Sequence, residues 1–289
     1  RSYIELPSFN LKLSGRSGEC NLVFLGDIHL GSASCDEEKL EQDIETIAQL
    51  PNCYVILMGD ICDFITAGDI KRRDFRGMAE WIKVKDLEDL PKREAEEFLQ
   101  RIKPIKQKII GGLAGNHEES VRKYYSFDVH TFICGHLDIY NMGYVAFSRL
   151  RLLDPAGKCF RVITCFTEHG SGGGTTIGGK WTRIDKRRLS IWANILAMGH
   201  VHKRGADETI ALSLSNNNNG LSHLIENPTV MLLTGTYLRT FAPPTFTSYS
   251  EKMAWSAVPL GCKGVKIQQI RERHGKEEQY TIRLKEFSI

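Results

Sequence analysis

The chain has no run approaching the roughly 20 consecutive apolar residues of a membrane-spanning helix, and no charged-then-apolar leader precedes Leu22. It reads as a soluble chain with no membrane partner. It also lacks any C-x-x-C pair: its eight cysteines (Cys20, Cys35, Cys53, Cys62, Cys134, Cys159, Cys165 and Cys262) are scattered, several of them inside apolar runs. That pattern excludes a paired-thiolate zinc site and argues against a disulfide framework; it points to small buried side chains kept reduced, and so to a cytoplasmic protein. Charge of one sign is scarce, with a formal net charge of +3 and 25% charged residues, too mild a basicity to argue for nucleic acid by itself. No internal repeat is visible. The glycine-dense stretch from Gly170 to Gly179 lacks the lysine and spacing of a phosphate-binding P-loop and reads as a mobile lid over an active site.

What the chain does have is a recurring device at the ends of its apolar runs. Tyr54 to Met58 reads as a buried strand closed by Gly59, Asp60, Ile61, Cys62 and Asp63, the position where open α/β sheets carry their chemistry. One Gly-Asp after a strand is ordinary turn chemistry. Here the pattern repeats. Asn21 to Leu25 closes in Gly26, Asp27, Ile28 and His29; the strand at Ile109 and Ile110 leads to Gly115, Asn116, His117 and Glu118; Phe160 to Phe166 leads to Glu168, His169 and Gly170; and Ile195 to Met198 closes in Gly199, His200, Val201 and His202. Five strand ends each carry a metal-binding or acid/base side chain, and that repetition is the functional signal. Four histidines beside two or three oxygen ligands favour a borderline divalent ion over magnesium or calcium.

Between these points the organisation is that of an α/β protein. Asp36 opens a helix carrying Leu40, Ile44, Ile47 and Leu50, stopped by Pro51, and Ala95, Phe98, Leu99, Ile102 and Ile105 mark a second. Tyr144 to Leu153 and Phe160 to Phe166 are joined across a turn from Asp154 to Lys158, Asn216 to Gly220 form a polar turn, and Gly264 to Ile270 with Tyr280 to Leu284 form a terminal hairpin. We expect one domain over 1–289, with a charged insertion at about 64–93 and a β-rich extension at about 205–289. The insertion interleaves Lys71, Arg72, Arg73 and Arg76 with Phe75, Met78 and Trp81, and reads as a solvated excursion before a substrate-facing one. The helix with Lys180, Arg183, Lys186, Arg187 and Arg188 around Trp181, Ile184 and Leu189 likewise reads as solvated. His136 in Gly135-His136 competes with His169 for the fourth position; His169 is preferred because a strand leads into it. His130, His136, His223 and His274 are then surface or core histidines.

The order Asp27, His29, then Gly59, Asp60, Asp63, then Gly115, Asn116, His117, Glu118, then His169, Gly170, then Gly199, His200, His202 resembles the calcineurin-like metallophosphoesterases motif for motif over residues 27 to 202. The resemblance implies a four-layer αββα sandwich of two mixed β-sheets flanked by helices. It implies two divalent ions, manganese first, with iron, zinc, nickel or cobalt as alternatives. One would take Asp27, His29 and His202, the other Asn116, His169 and His200, with Asp60 bridging them and a metal-bound hydroxide attacking phosphorus in line. His117 would be a catalytic residue off the metals, reaching the phosphate or leaving oxygen, with Asp63 orienting its ring; Glu118 would be a helix-start residue. The expected activity is phosphoester hydrolysis, with phosphodiesters favoured. A nuclease acting on DNA or RNA is the alternative within hydrolysis, and a scaffold or subunit of the same architecture is the alternative outside it. The motifs indicate the reaction and not the substrate, the oligomeric state or the native metal.

Overall fold

The computed structural model describes residues 6–15, 18–65, 75–172, 176–214, 224–241, 247–252, 254–274 and 277–289. In chain order the strands and helices begin with β1 (Ser8–Lys12) and β2 (Glu19–Leu25), followed by α1 (Glu37–Gln49), which Asp36 caps by accepting from the Lys39 amide at 3.1 Å. β3 (Cys53–Leu57) follows, then α2 (Leu90–Arg101). The apolar spacing of Phe98, Ile102 and Ile105 would carry α2 further, but Pro104 removes an amide donor and the chain tightens into a 3₁₀ segment over Lys103–Lys108. Next come β4 (Ile109–Gly112), α3 (Asn116–Tyr125), α4 (Val129–Leu137) and the two-residue β5 (Tyr140–Asn141). β6 (Val145–Leu153) and β7 (Cys159–Glu168) form the hairpin expected across Asp154 to Lys158, where Gly157 takes a φ of +85° in the turn. α5 (Ile177–Ser190), β8 (Ile195–Met198), β9 (Arg204–Leu214), β10 (Leu224–Thr236), β11 (Gly261–His274) and β12 (Glu277–Ser288) complete the chain. The polar turn expected at Asn216 to Gly220, His223, and Lys71 to Arg73 of the insertion lie outside the described residues.

The sequence reading expects two sheets, whereas hydrogen bonding joins the strands into one path, β1-β6-β7-β8-β10-β11-β2-β3-β4-β5, with β9 on β10 and β12 on β11. The link between its halves is short: β10 and β11 pair only through Gly235 with Cys262 and Thr236 with Gly261. The sheet curls there. Period-2 alternation then sends neighbouring residues to different apolar clusters. Leu22 and Phe24 of β2, and Ile56 and Met58 at β3, meet Ile195 and Ala197 of β8 and Val230 and Leu232 of β10 in one cluster. Val23, Leu25, Val55 and Leu57 point the other way, onto Leu40, Ile44 and Ile47 of α1 and Phe98 of α2. Leu196, Met198, Met231 and Leu233 pack against Ile184 of α5. The result is a mixed α/β fold with a large curled mixed sheet and helices. Several elements escaped the sequence reading, among them β1, which pairs parallel with β6 through five alternating residues, β9 on β10, and α4, whose apolar residues show little periodicity. Part of the charged insertion is not merely solvated, since the Trp81 indole N–H donates to Glu37 at 2.8 Å and Arg93 lies 5.0 Å over its ring.

Among the described residues, no helix is long and apolar enough to cross a membrane.

Candidate metal centre

The loops after β2, β3, β4, β7 and β8 converge on one edge of the sheet. Their backbones are bent where the side chains are needed: Asp27, His29, Asp60, His200 and His202 all have positive φ, between 46° and 64°. Non-glycine residues avoid this region, and five of them together in one place is strain held by the surrounding structure, a feature that concentrates at functional sites. Glycine is required beside them. A Cβ on Gly115 would lie 2.2 Å from Asp60 Oδ1, and one on Gly59, with φ +84°, would lie 2.6 Å from the Gly115 nitrogen.

Asp60 and Asp27 are both buried, and each divides its two oxygens between two tasks. Asp60 Oδ1 accepts from the His117 amide at 2.9 Å, while Oδ2 lies 3.2 Å from His169 Nε2 and 4.0 Å from both His29 Nε2 and His117 Nε2. Asp27 Oδ2 accepts from the His200 amide at 2.8 Å, while Oδ1, 3.5 Å from His202 Nε2, has no hydrogen-bond partner. One oxygen of each carboxylate shapes the loops and the other is presented to the imidazoles.

The rings are turned to match. His169 Nδ1 donates to the Met58 carbonyl at 2.8 Å, which directs Nε2 at Asp60 Oδ2 and, at 3.1 Å, at Asn116 Oδ1. In the neutral ring Nε2 is then an acceptor facing two acceptors, an arrangement stable only with a proton or a cation between them. His29 Nε2 and His202 Nε2 likewise face each other at 3.1 Å, and buried His200 Nδ1 has no partner. Three groups follow, each with ligand atoms close enough for one ion: Asp27, His29 and His202; Asp60, His169 and His200; and His29, Asp63 and His117. These histidines and aspartates can bind metal. A donor set of imidazoles and carboxylates suits a borderline divalent ion, and the unpartnered Asp27 oxygen and His200 nitrogen are what such an ion would satisfy.

Electrostatics tell the same story. Burial, with the Asp60 charge adding to it, pushes the Asp27 carboxyl up to about 7. Burial also pushes His200 down to about 4, with His169 contributing, and holds His202 well below the usual histidine value. For Asp60 and His169 burial acts against the charged forms but loses to their mutual attraction, so the Asp60 carboxyl falls well below its usual range and His169 rises to about 10. Without a cation, then, this site keeps one tight carboxylate–imidazolium pair and pushes Asp27, His200 and His202 towards neutrality, while His29 is raised, its burial outweighed by Asp63, Asp60 and Asp27.

The structure brings all nine residues singled out from the sequence to this edge. His136 is elsewhere, exposed on α4 with Nδ1 2.9 Å from the Phe132 carbonyl, and His130 bonds Asn141 at 3.1 Å. The contact between Asp63 and His117 differs from the expected one: the Asp63 backbone carbonyl accepts from His117 Nδ1, while the Asp63 carboxylate is 3.9 Å from that nitrogen and closer, 3.5 Å, to His29 Nδ1. Several supporting residues were missed. Glu118 is more than a helix-start residue, because its buried carboxylate accepts from the amides of Asp60 at 3.0 Å, Ile61 at 2.9 Å and Gly115 at 2.8 Å. Its spacing three residues after Gly115 is the reciprocal half of a capping box and was the available signal. Buried Glu94 accepts from the Phe64 amide at 2.7 Å, and the Thr236 hydroxyl donates to the Asp27 carbonyl at 2.9 Å. Trp255 sets its ring 5.3 Å from that of His202. Neither Thr236 nor Trp255 carries a local signal. A cavity of about 420 Å³ opens beside Asn116, lined by Glu119, Ser120, Arg122, Lys123 and Tyr124.

No family model and no curated protein matches this chain. Among solved structures it is similar to a conserved uncharacterized protein of Streptococcus pneumoniae, described as a predicted phosphoesterase, at 12% identity and TM-score 0.32, covering 94% of this chain and 99% of that one. It is similar to Vps29 of Chaetomium thermophilum at 8% identity and TM-score 0.35, covering 93% and 98%, and to a double mutant of Vps29 of Entamoeba histolytica at 10% identity and TM-score 0.33, covering 93% and 99%.

Proposed function

We propose that the chain is a calcineurin-like metallophosphoesterase, a dinuclear metal-dependent phosphoester hydrolase with phosphodiesters favoured. The observation that supports this reading is the division of labour in Asp60 and Asp27: each spends one oxygen on a backbone amide and turns the other towards imidazole nitrogens, that of Asp27 with no hydrogen-bond partner. Asp27, His29 and His202 would hold one ion and Asn116, His169 and His200 the other, with Asp60 Oδ2 between the sets. Two divalent ions at such a site neutralise phosphoryl charge and lower the pKa of water. We take manganese first, with iron, zinc, nickel and cobalt as alternatives.

The chain's own groups supply the rest. His117 Nδ1 is engaged by the Asp63 carbonyl, so the ring is held with Nε2 facing the cluster 4.0 Å from Asp60 Oδ2, the atom placed to hold a proton for the leaving-group oxygen. The amide of the same residue fixes Asp60 from the other side, which couples the proton donor to the central carboxylate. The fold is read as a four-layer αββα sandwich, supported by the three apolar clusters that the alternation of β2, β3, β8 and β10 creates. Eight free cysteines, seven of them buried, suit the cytoplasm.

The test is a metal-dependent activity panel over a simple phosphodiester, a phosphomonoester, and single- and double-stranded DNA. Hydrolysis should vanish on chelation and return best with manganese or another borderline ion; full activity in excess chelator would refute the reading.

A further inference from the structure

The basic helix α5 does not behave as one solvated face. Arg187 reaches in from the surface to pair with buried Glu168 at 2.9 Å, and Arg188 pairs with Asp185 at 2.9 Å. Lys180 is different: only 9% of it is exposed, and among the described residues no carboxylate pairs with it. Its position opposes a positive charge in three ways. It lies in the first turn of a 14-residue helix, where the dipole disfavours cations and where no acidic side chain compensates. Burial lowers its pKa, and the neighbouring Lys203 lowers it further. Desolvating an ammonium without an anion is costly. Among the described residues its contact of compensating sign is the face of Trp255, 5.6 Å from Nζ.

That contact leads to the metal centre. The Trp255 ring is 5.3 Å from the ring of His202, so Lys180, Trp255 and His202 form one continuous line, with Lys203 next to His202 in the chain. Trp181, packed so tightly on Gly205 that a Cβ there would lie 2.8 Å from its ring, fixes the start of α5 over this segment. A buried lysine beside an aromatic face, next to a candidate phosphoryl site, is a combination that tracks a nucleic-acid backbone.

Resting on the phosphoesterase reading above, we propose that Lys180, with Lys203 and the face of Trp255, forms a subsite for a second phosphate on a single-stranded phosphodiester substrate, flanking the phosphate held at the metal centre. The lack of a carboxylate partner among the described residues is explained because the substrate provides the anion. The arrangement also explains why Lys180 is buried on a helix whose other basic residues lie on the surface.

The probe is a thymidine dinucleotide with and without a 5′-phosphate, which differ by one phosphate. Binding to the manganese-loaded chain is followed by tryptophan fluorescence, and hydrolysis of bis(p-nitrophenyl) phosphate is followed separately. The wild type should bind the phosphorylated dinucleotide about tenfold or more tightly than the other, as expected for one charge-assisted phosphate contact. Lys180→Met, which keeps the apolar stem, should bring that ratio near one, and Lys180→Arg should largely restore it. A wild-type ratio near one, an unchanged ratio in Lys180→Met, or an equal loss of affinity for both ligands would each overturn the subsite. If the ratio behaves as expected but no ester is hydrolysed with any metal, the phosphoesterase reading fails and the anion subsite stands. If the aryl diester is cleaved and the ratio is one, the subsite fails alone.

Discussion

The two halves of the sheet contribute to one centre by different means. On the side of β2, β3 and β4 the loops are tied mostly to each other and to Glu118: the amides of Asp27, Ile28 and His29 donate to the carbonyls of Gly59 and Asp60 at 2.9 to 3.1 Å, Glu118 collects three further amides, and the His117 amide alone rests on Asp60 Oδ1. On the side of β7 and β8 further ties run to the first half and to a candidate metal-binding carboxylate, since the His200 amide rests on Asp27 Oδ2 and the His169 ring on the Met58 carbonyl. The first half is therefore held largely by ties that an ion would not engage. The second is organised by the groups an ion would engage, so charge at the centre and the geometry of these loops are coupled. This is the usual logic of a supporting shell, distributed unevenly.

The largest effects should come from the residue on which both halves converge. Asp60→Ala removes the carboxylate that faces His29, His117 and His169, so bound metal and turnover should fall together, by more than the about 10²–10³ typical of removing one electrostatic stabiliser. Metal analysis beside kinetics checks this, and retention of both ions would break the picture of Asp60 as the bridge. His117→Ala should leave the ions in place and slow turnover by about 10²–10⁴. The loss should be greatest for esters with poor leaving groups and smaller for an activated aryl ester; a variant that loses its metals, or slows both esters alike, contradicts the assigned role.

The next contrast sharpens the difference between the halves directly. Glu118→Ala strands three buried amides, each costing about 1–3 kcal/mol, so a destabilisation of about 3 kcal/mol or more is expected in urea unfolding, together with weaker metal binding. Thr236→Val removes one hydroxyl that donates to the Asp27 carbonyl and accepts from the Leu238 amide, and should cost only about 1–2 kcal/mol. Equal effects from the two substitutions would remove the distinction drawn here.

The smallest effect is a proton count. In the metal-free chain His169 is raised to about 10, burial opposing the charge but the Asp60 carboxylate prevailing. Its folded value lies above the unfolded one of about 6.5, so its contribution to metal-free stability is complete below about pH 6.5 and is lost as pH rises through about 10. A bound ion needs the neutral ring, so loading at pH 8 to 9 should release about one proton, and more towards pH 7, where Asp27 is also partly protonated. Calorimetry in buffers of different ionisation enthalpy measures that release, and the chelated protein should lose stability between pH 7 and 10 where the loaded protein does not.

Much of the centre was legible in the sequence because its signals are local. An apolar run, then glycine, then aspartate or histidine needs only a few adjacent residues to be recognised, and an unbroken apolar run marks a strand buried on both faces. The hairpins and α1 were readable for the same reason, through turn and cap residues such as Gly157 and Asp36. Glu118 was half visible, as the capping carboxylate three residues after Gly115; that it would also take the Asp60 and Ile61 amides was not.

By itself the sequence determined the set of ligand types, the strand ends that present them and the α/β class, all of which follow from side-chain chemistry at short range. The tertiary structure decided the rest. Which oxygen of Asp27 positions a loop and which is left for an ion depends on His200, 173 residues away. That the two halves join into one curled sheet depends on two residue pairs between β10 and β11. That Lys180 is buried against Trp255 while Arg187 and Arg188 of the same helix pair with carboxylates depends on where α5 comes to rest. Such contacts are made between segments distant in the chain, and periodicity, which reports only which face of an element is apolar, carries no information about which distant group that face will meet.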